Sequence, residues 1–111
     1  GFVAHLAVFR AVEYVDFRPV LARVRNIVFR RGDLLRAETL PGGGLESVSC
    51  LHVIEHIGLG RYGDPIDPEG WRRALGNLAG MLGEGGRLYV STPVGRQRVE
   101  FNAHRVFAPE T

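Results

Sequence analysis

Polar side chains that can bind or react follow the predicted strands of this chain. Asp16, Asp33, His52 and Thr92 all lie at the predicted carboxyl ends of strands. Parallel sheets bind their ligands beyond the carboxyl ends of the strands, so we expect these residues to share one edge of a sheet. Their common position is the strongest indication of function that the residues give by themselves.

Two of these positions suit a nucleotide. A carboxylate at Asp16 can accept hydrogen bonds from both hydroxyl groups of a ribose. Asp33 can receive the amino group of an adenine while Leu34 packs on the ring. Each aspartate also has a simpler interpretation, because Asp16 can form a turn with residues 18–19 and Asp33 can form an Asx turn.

The segment His52–His56 matches H-x-x-E-H, a pattern of zinc proteases. Zinc chemistry would need both imidazoles on one face of a stable helix, a glutamate base and a third ligand. Gly58 and Gly60 break any helix almost at once, so no metal site is predicted. Two interpretations stay open: a strand-end turn with a capping Glu55 and a packed histidine, or a general base supplied by His52 or His56.

The tail of the chain carries a further polar group. Asn102, His104 and Arg105 lie beyond the last predicted strand, where they can orient a polar substrate or form a solvated turn. Cys50 lies within a strand, and we expect it to be a small buried hydrophobic residue and not a nucleophile.

The elements that must position these residues alternate between strand-like and helix-like segments, which is typical of α/β architecture. The spacing of apolar residues predicts helices over residues 2–10, 20–25 and 67–82, the last with Asp67 as its N-cap. Apolar runs predict strands over residues 12–17, 27–29, 47–54 and 87–91, with a glycine turn before the last strand. We therefore expect one Rossmann-like, mostly parallel sheet with flanking helices.

The composition excludes several classes of protein. A hydrophobic fraction of 45% is too high for a disordered chain, and no apolar run approaches a membrane span. The net charge of +2 is only mildly basic and the basic residues form no stripe, so no nucleic-acid partner is expected. The single cysteine excludes an internal disulfide. We expect a cytoplasmic protein with a small-molecule substrate, and the oligomeric state stays open.

Several segments resemble class I S-adenosylmethionine-dependent methyltransferases. Residues 13–16 (EYVD) and 32–34 (GDL) resemble the ribose and adenine positions of that family. Residues 47–57 resemble its fourth-strand motif, and residues 75–93 resemble its next helix, Gly-Gly turn and fifth strand. Residues 52–65 together with 102–105 resemble a narrower bacterial branch that is named only as a domain of unknown function.

The resemblance implies methyl transfer from S-adenosylmethionine to a small-molecule acceptor, for example a carbohydrate. Asp16 would hold the ribose of the cofactor, and Asp33 and Leu34 its adenine. His52 would contact the cofactor near the reacting methyl group and act as the base, with His56 as the weaker candidate for that role. The residues that would contact the substrate are Asn102, His104 and Arg105.

The chain also departs from this family. The first strand and the glycine-rich loop, which cradle the methionine part of the cofactor, are absent before Gly1, and the last two strands of the usual seven are absent too. Residues 1–111 are therefore expected to be the central part of a single methyltransferase-like domain that is active within a longer chain. The alternative is a non-catalytic domain of the same type that binds a ligand or a partner.

Overall fold

A computed structural model describes residues 2–61, 63–100 and 103–111. The contacts within the chain divide it into two compact units, residues 1–40 and residues 41–111. The α-helices are α1 (Phe2–Ala7) and α2 (Gly70–Gly80), and short 3₁₀ helices span Ala37–Thr39 and Ile54–His56. The strands are β1 (Val12–Asp16), β2 (Ile27–Arg31), β3 (Leu45–Leu51), β4 (Leu82–Ser91), β5 (Arg98–Glu100) and β6 (His104–Val106).

The unit of residues 1–40 is built on one parallel strand pair. β1 and β2 pair with Val12 opposite Ile27 and Asp16 opposite Arg31. Their β-branched and aromatic residues favour extended backbone. The helix predicted over residues 20–25 is absent. So short a helix forms only when packing stabilises it, and Leu21 at its centre is 98% exposed.

Local contacts hold this unit together. Asn26 adopts a left-handed conformation with φ 64°, which asparagine tolerates better than most residues, and its Nδ2 donates to the Ala7 carbonyl oxygen at 3.1 Å. Gly32 follows β2 and lies so close to Val15 that a Cβ there would be 2.8 Å from Val15 Cγ1. The absence of a side chain at Gly32 therefore allows the chain to turn against β1.

The unit of residues 41–111 contains a second parallel pair, formed by β3 and β4. Ser47 lies opposite Arg87, whereas Leu45 lies opposite Leu82, so the two strands are out of step between these pairs. The glycines predicted as a turn form this irregularity inside a longer β4. Gly85 has φ 74°, a conformation that favours glycine.

Helix α2 packs against β4 and the 3₁₀ helix Ile54–His56. Its buried residues, Gly70, Ala74 and Leu78, recur every four positions and so share one face. The helix begins later than predicted, because Asp67 is not its N-cap. Asp67 Oδ1 instead accepts a hydrogen bond from the Glu69 N–H at 3.0 Å within the turn before the helix.

The predicted Rossmann-like sheet is wrong. The described strands form three separate two-stranded sheets, β1–β2, β3–β4 and the antiparallel β5–β6. A doubly wound sheet needs helices that cover both of its faces. Here α1 has only six residues, and the connections over residues 17–26 and 32–44 contain no α-helix. The parallel pairs therefore lack the helical layers that the expected architecture requires.

Candidate active site

A buried glutamate follows β3. After Leu51 the chain turns at His52, which has φ 55°, and the 3₁₀ helix Ile54–His56 follows. The His52 N–H donates to the Ser91 carbonyl oxygen at 2.9 Å, so the turn is anchored at the end of β4. This path leaves Glu55 only 2% exposed, and it is the largest fully buried side chain among the described residues.

One oxygen of this carboxylate faces two imidazoles. Glu55 Oε1 lies 3.5 Å from His52 Nδ1 and 3.8 Å from His56 Nε2. Both distances are those of ion pairs and are longer than a strong hydrogen bond. Within the described part of the chain, the buried Oε2 atom of Glu55 has no hydrogen-bond partner. A buried carboxylate oxygen that lacks a partner destabilises a fold.

The two histidines differ in their access to solvent. The side chain of His52 is 68% exposed, whereas that of His56 is 23% exposed. His52 also sits in a backbone conformation that is strained for a residue with a Cβ. A substrate can therefore reach His52, which makes it the better candidate for a base.

The main chain of the tail fixes the other imidazole. His56 Nδ1 lies 2.5 Å from the Ala103 carbonyl oxygen, and because a carbonyl only accepts, Nδ1 carries the proton. Arg61 Nη1 donates to the same oxygen at 3.4 Å. No feature of the sequence predicts the role of Ala103, because a carbonyl oxygen is common to every residue. These contacts favour a positioning role for His56.

Cys50 lies in β3 close to this carboxylate and is 5% exposed. Burial, and then the nearby charge of Glu55, raise the pKa of its thiol from 9.0 to about 11. Since the thiolate is the nucleophilic form, Cys50 is unreactive at neutral pH.

The residues predicted to bind a nucleotide lie in the unit of residues 1–40. Asp16 is the last residue of β1 and Asp33 follows β2, so both lie at the same end of this parallel pair. Asp16 Oδ1 accepts from the Arg18 N–H and Asp33 Oδ1 from the Leu35 N–H, both at 2.9 Å. Both aspartates thus form Asx-type turns. Leu34, which lies between Asp33 and Leu35, is half-buried. Their assignment to ribose and adenine stays a prediction.

The residues predicted to contact substrate are positioned differently. Arg105 is 6% exposed, and its guanidinium donates to the carbonyl oxygens of Ile57 and Asp67, which ties the tail to the loop after the 3₁₀ helix. Burial lowers the pKa of Arg105, and the carboxylate of Asp67 opposes that change. His104 is half-buried, with its ring centroid 6.3 Å from that of His56. Asn102 lies outside the described residues.

The described residues contain neither a group of metal ligands nor a helix able to span a membrane. Across residues 2–61, 63–100 and 103–111, no three His, Cys, Asp or Glu side chains are grouped as metal ligands. The absence of a metal stays a prediction. None of the helices in this described part of the chain has the length and apolar character needed to cross a bilayer.

Comparison with known proteins corrects the expected family. No curated protein and no solved structure matches the chain significantly. One family model, described as "Caenorhabditis protein of unknown function, DUF268", matches residues 21–110. The expected membership of a bacterial methyltransferase branch is therefore wrong, since no methyltransferase family was matched. Because the match spans most of its length, this chain belongs to the DUF268 family.

Proposed function

We propose that this chain catalyses a group transfer in which His52 is the general base and Glu55 is the carboxylate that positions it. The observation that carries the proposal is the contact between an exposed imidazole and a buried carboxylate, at 3.5 Å. A general base must be accessible to the proton donor and must be held in one orientation. The exposure of His52 supports the first requirement, and Glu55 with the backbone tie to Ser91 supports the second.

The proton would move through one ring. Neutral His52 would keep its proton on Nδ1, facing Glu55, and would accept the substrate proton at Nε2. The imidazolium that forms is stabilised by the carboxylate, as in other carboxylate–imidazole pairs. The exposed ring then returns the proton to water. His56, whose Nδ1 donates to the Ala103 carbonyl oxygen, would hold Glu55 from its other side only as the imidazolium, which carries a second proton on Nε2, 3.8 Å from the carboxylate.

The acceptor we propose is a hydroxyl group of a small polar molecule, carbohydrates included. A hydroxyl must lose its proton during the transfer, which is the step that a histidine base serves. The half-buried His104 and the neighbouring loop are candidate substrate contacts, with Asn102 as a further prediction. We place this reaction in the cytoplasm, where a single free cysteine such as Cys50 stays reduced.

We further propose that the group transferred is the methyl group of S-adenosylmethionine, which would supply a carbon activated by a sulfonium. Support comes from Asp16 and Asp33, which lie at the same end of a parallel strand pair. Each of them uses Oδ1 in its turn. The other oxygen of Asp16 would bind the ribose, and that of Asp33 the adenine, with Leu34 against the ring.

An assay of methyl transfer tests this function. The release of S-adenosylhomocysteine is followed with a set of monosaccharides as acceptors. We expect His52→Asn, which tolerates the left-handed backbone, to lower kcat about a hundredfold and to change the Kd for S-adenosylmethionine by less than about twofold. The matched control is His5→Asn, an exposed histidine of α1.

Three results would overturn parts of the proposal. If the chain neither binds S-adenosylmethionine nor releases S-adenosylhomocysteine, methyl transfer is excluded. Turnover that survives His52→Asn would exclude His52 as the base. Cofactor binding without any turnover would favour the alternative, a non-catalytic ligand-binding domain.

A further inference from the structure

The connection between β1 and β2, residues 17–26, is exposed along its whole length. Leu21 at its centre is 98% exposed, and Val24 near its end is 46% exposed. A connection between two parallel strands usually contains a helix that packs on the sheet. This connection instead leaves apolar side chains in solvent, and apolar residues that form an exposed patch mark a surface for interaction.

A second exposed turn lies beside the end of this connection. Phe9, in the turn that follows α1, is 72% exposed. Asn26 links the two segments, because its Nδ2 donates to the Ala7 carbonyl oxygen at 3.1 Å. The two segments therefore meet at one end of the pair β1–β2. We refer to residues 8–10 and 20–25 together as the docking surface.

The docking surface carries only positive charge. Arg10, Arg23 and Arg25 are exposed within it, and neither of its two segments contains an acidic residue. Residues 1–40 contain seven arginines and four acidic residues, whereas residues 41–111 contain seven arginines and eight acidic residues. Contact between the docking surfaces of two copies of the chain would bring like charges together, so the charge favours an anionic partner.

The shape of the docking surface favours lipid over an acidic protein. Leu21 protrudes almost completely from the fold, and a fluid lipid layer accepts a protruding side chain without a matching pocket. An arginine can lay its aliphatic part along apolar groups while its guanidinium binds a phosphate. Apolar residues interleaved with basic ones are typical of segments that lie in the interface of a membrane.

We propose that the docking surface binds the anionic surface of a lipid bilayer. The side chains of Phe9 and Leu21 enter the layer of headgroups, and Arg23 and Arg25 pair with lipid phosphates. The cytoplasmic leaflet of cell membranes carries the anionic lipids that this charge requires. Such binding needs no helix that spans the bilayer, and it uses none of the residues assigned to proton transfer.

Sedimentation of the whole chain with lipid vesicles tests the docking surface. Vesicles of phosphatidylcholine mixed with phosphatidylglycerol supply negative charge, and vesicles of phosphatidylcholine alone are the neutral comparison. We expect binding to the mixed vesicles only, with an affinity that falls as the salt concentration rises. Leu21→Ser should weaken this binding about tenfold through the loss of apolar burial, and Arg23→Gln with Arg25→Gln should weaken it about tenfold through the loss of charge.

Matched substitutions outside the docking surface are the controls. Ile66→Ser removes an apolar residue that is 68% exposed, and Arg87→Gln with Arg96→Gln lowers the net charge as much as the double variant of the docking surface. Both controls should bind the mixed vesicles within about twofold of the wild type. Every substitution is at an exposed position, so circular dichroism should show the same fold in all of these proteins.

Four results would overturn the proposal. The mixed vesicles fail to bind the chain, or neutral vesicles bind it equally well. A variant of the docking surface binds like the wild type, or a control variant loses as much affinity as its counterpart. Binding of poly-glutamate that falls in Leu21→Ser would assign the docking surface to an acidic protein and would overturn the proposal as well.

Discussion

The exposed imidazole of His52 lies 3.5 Å from the buried carboxylate of Glu55, measured from Nδ1 to Oε1. His56 approaches the same oxygen from 3.8 Å and is fixed by the Ala103 carbonyl. His56 is therefore anchored inside the fold, whereas His52 presents its imidazole to solvent. Each of these contacts has a measurable consequence.

Loss of the Glu55 charge should destabilise the fold. Glu55→Gln keeps the shape of the side chain but removes the charge between two imidazoles, so the free energy of unfolding should fall by about 1–3 kcal/mol. Urea denaturation measures the change, with Glu84→Gln at an exposed position as the control, expected within about 0.5 kcal/mol of the wild type. A Glu55→Gln variant as stable as the wild type would show that the imidazoles do not stabilise this carboxylate.

The backbone strain at His52 should appear in a pair of substitutions. Because φ is 55° there, His52→Gly should be more stable than His52→Ala by about 1–2 kcal/mol. His56 does not have a positive φ, so there glycine should be less stable than alanine by about 0.5–1 kcal/mol. Thermal unfolding of the four variants measures both differences. The same sign at both positions would contradict the left-handed turn.

The fold could be predicted from the sequence only at short range. β1 and β2 lie close to their predicted bounds, because a run of β-branched and aromatic residues determines extended backbone locally. The prediction of a helix over residues 20–25 was wrong. The spacing of its apolar residues is helical, but Leu21 has no surface to pack on. The prediction that the strands form one sheet was wrong because the periodicity of a single strand does not indicate which other strand pairs with it.

The candidate site was predictable in part. The H-x-x-E-H spacing singles out His52, Glu55 and His56 as one group. It predicts neither the burial of Glu55 nor the difference between an exposed and an anchored histidine. The contact between Trp71 and Phe107 was not predictable. Trp71 was assigned to a helix face and Phe107 to a tail without a predicted element, and their contact joins residues far apart in the chain.

The turn at Gly58 should tolerate no side chain. Gly58 has φ 79°, and a Cβ there would overlap the Asp67 carbonyl oxygen, so Gly58→Ala should lower the free energy of unfolding by about 3 kcal/mol or more. Gly63 has a similar φ of 78° with open space around it, and Gly63→Ala should cost only about 1–2 kcal/mol. Urea denaturation of the two variants separates the cost of the steric overlap at Gly58 from the cost of the backbone strain that both positions share. Equal losses would show that the loop moves away from Asp67.

Alkaline pH should destabilise the fold through Cys50. The folded-state pKa of about 11 is raised above 9.0, so the folded protein favours the neutral thiol. The stability due to this group is complete below about pH 9 and is lost as the pH rises towards about 11. Urea denaturation at both ends of this pH range measures the loss of stability. Cys50→Ala is the control, because it lacks the thiol and keeps every other titrating group. A variant that loses as much stability as the wild type would exclude the contribution.

The hydrolysis of p-nitrophenyl acetate tests the His52–Glu55 pair most directly, because an accessible and positioned imidazole cleaves this ester whatever the natural substrate is. We expect His52→Asn to lower the rate about tenfold, less than in enzymes that bind their substrate, and Glu55→Gln to give an intermediate rate. His5→Asn should match the wild type. Equal rates in the wild type and His52→Asn would contradict the assignment of His52 as the base.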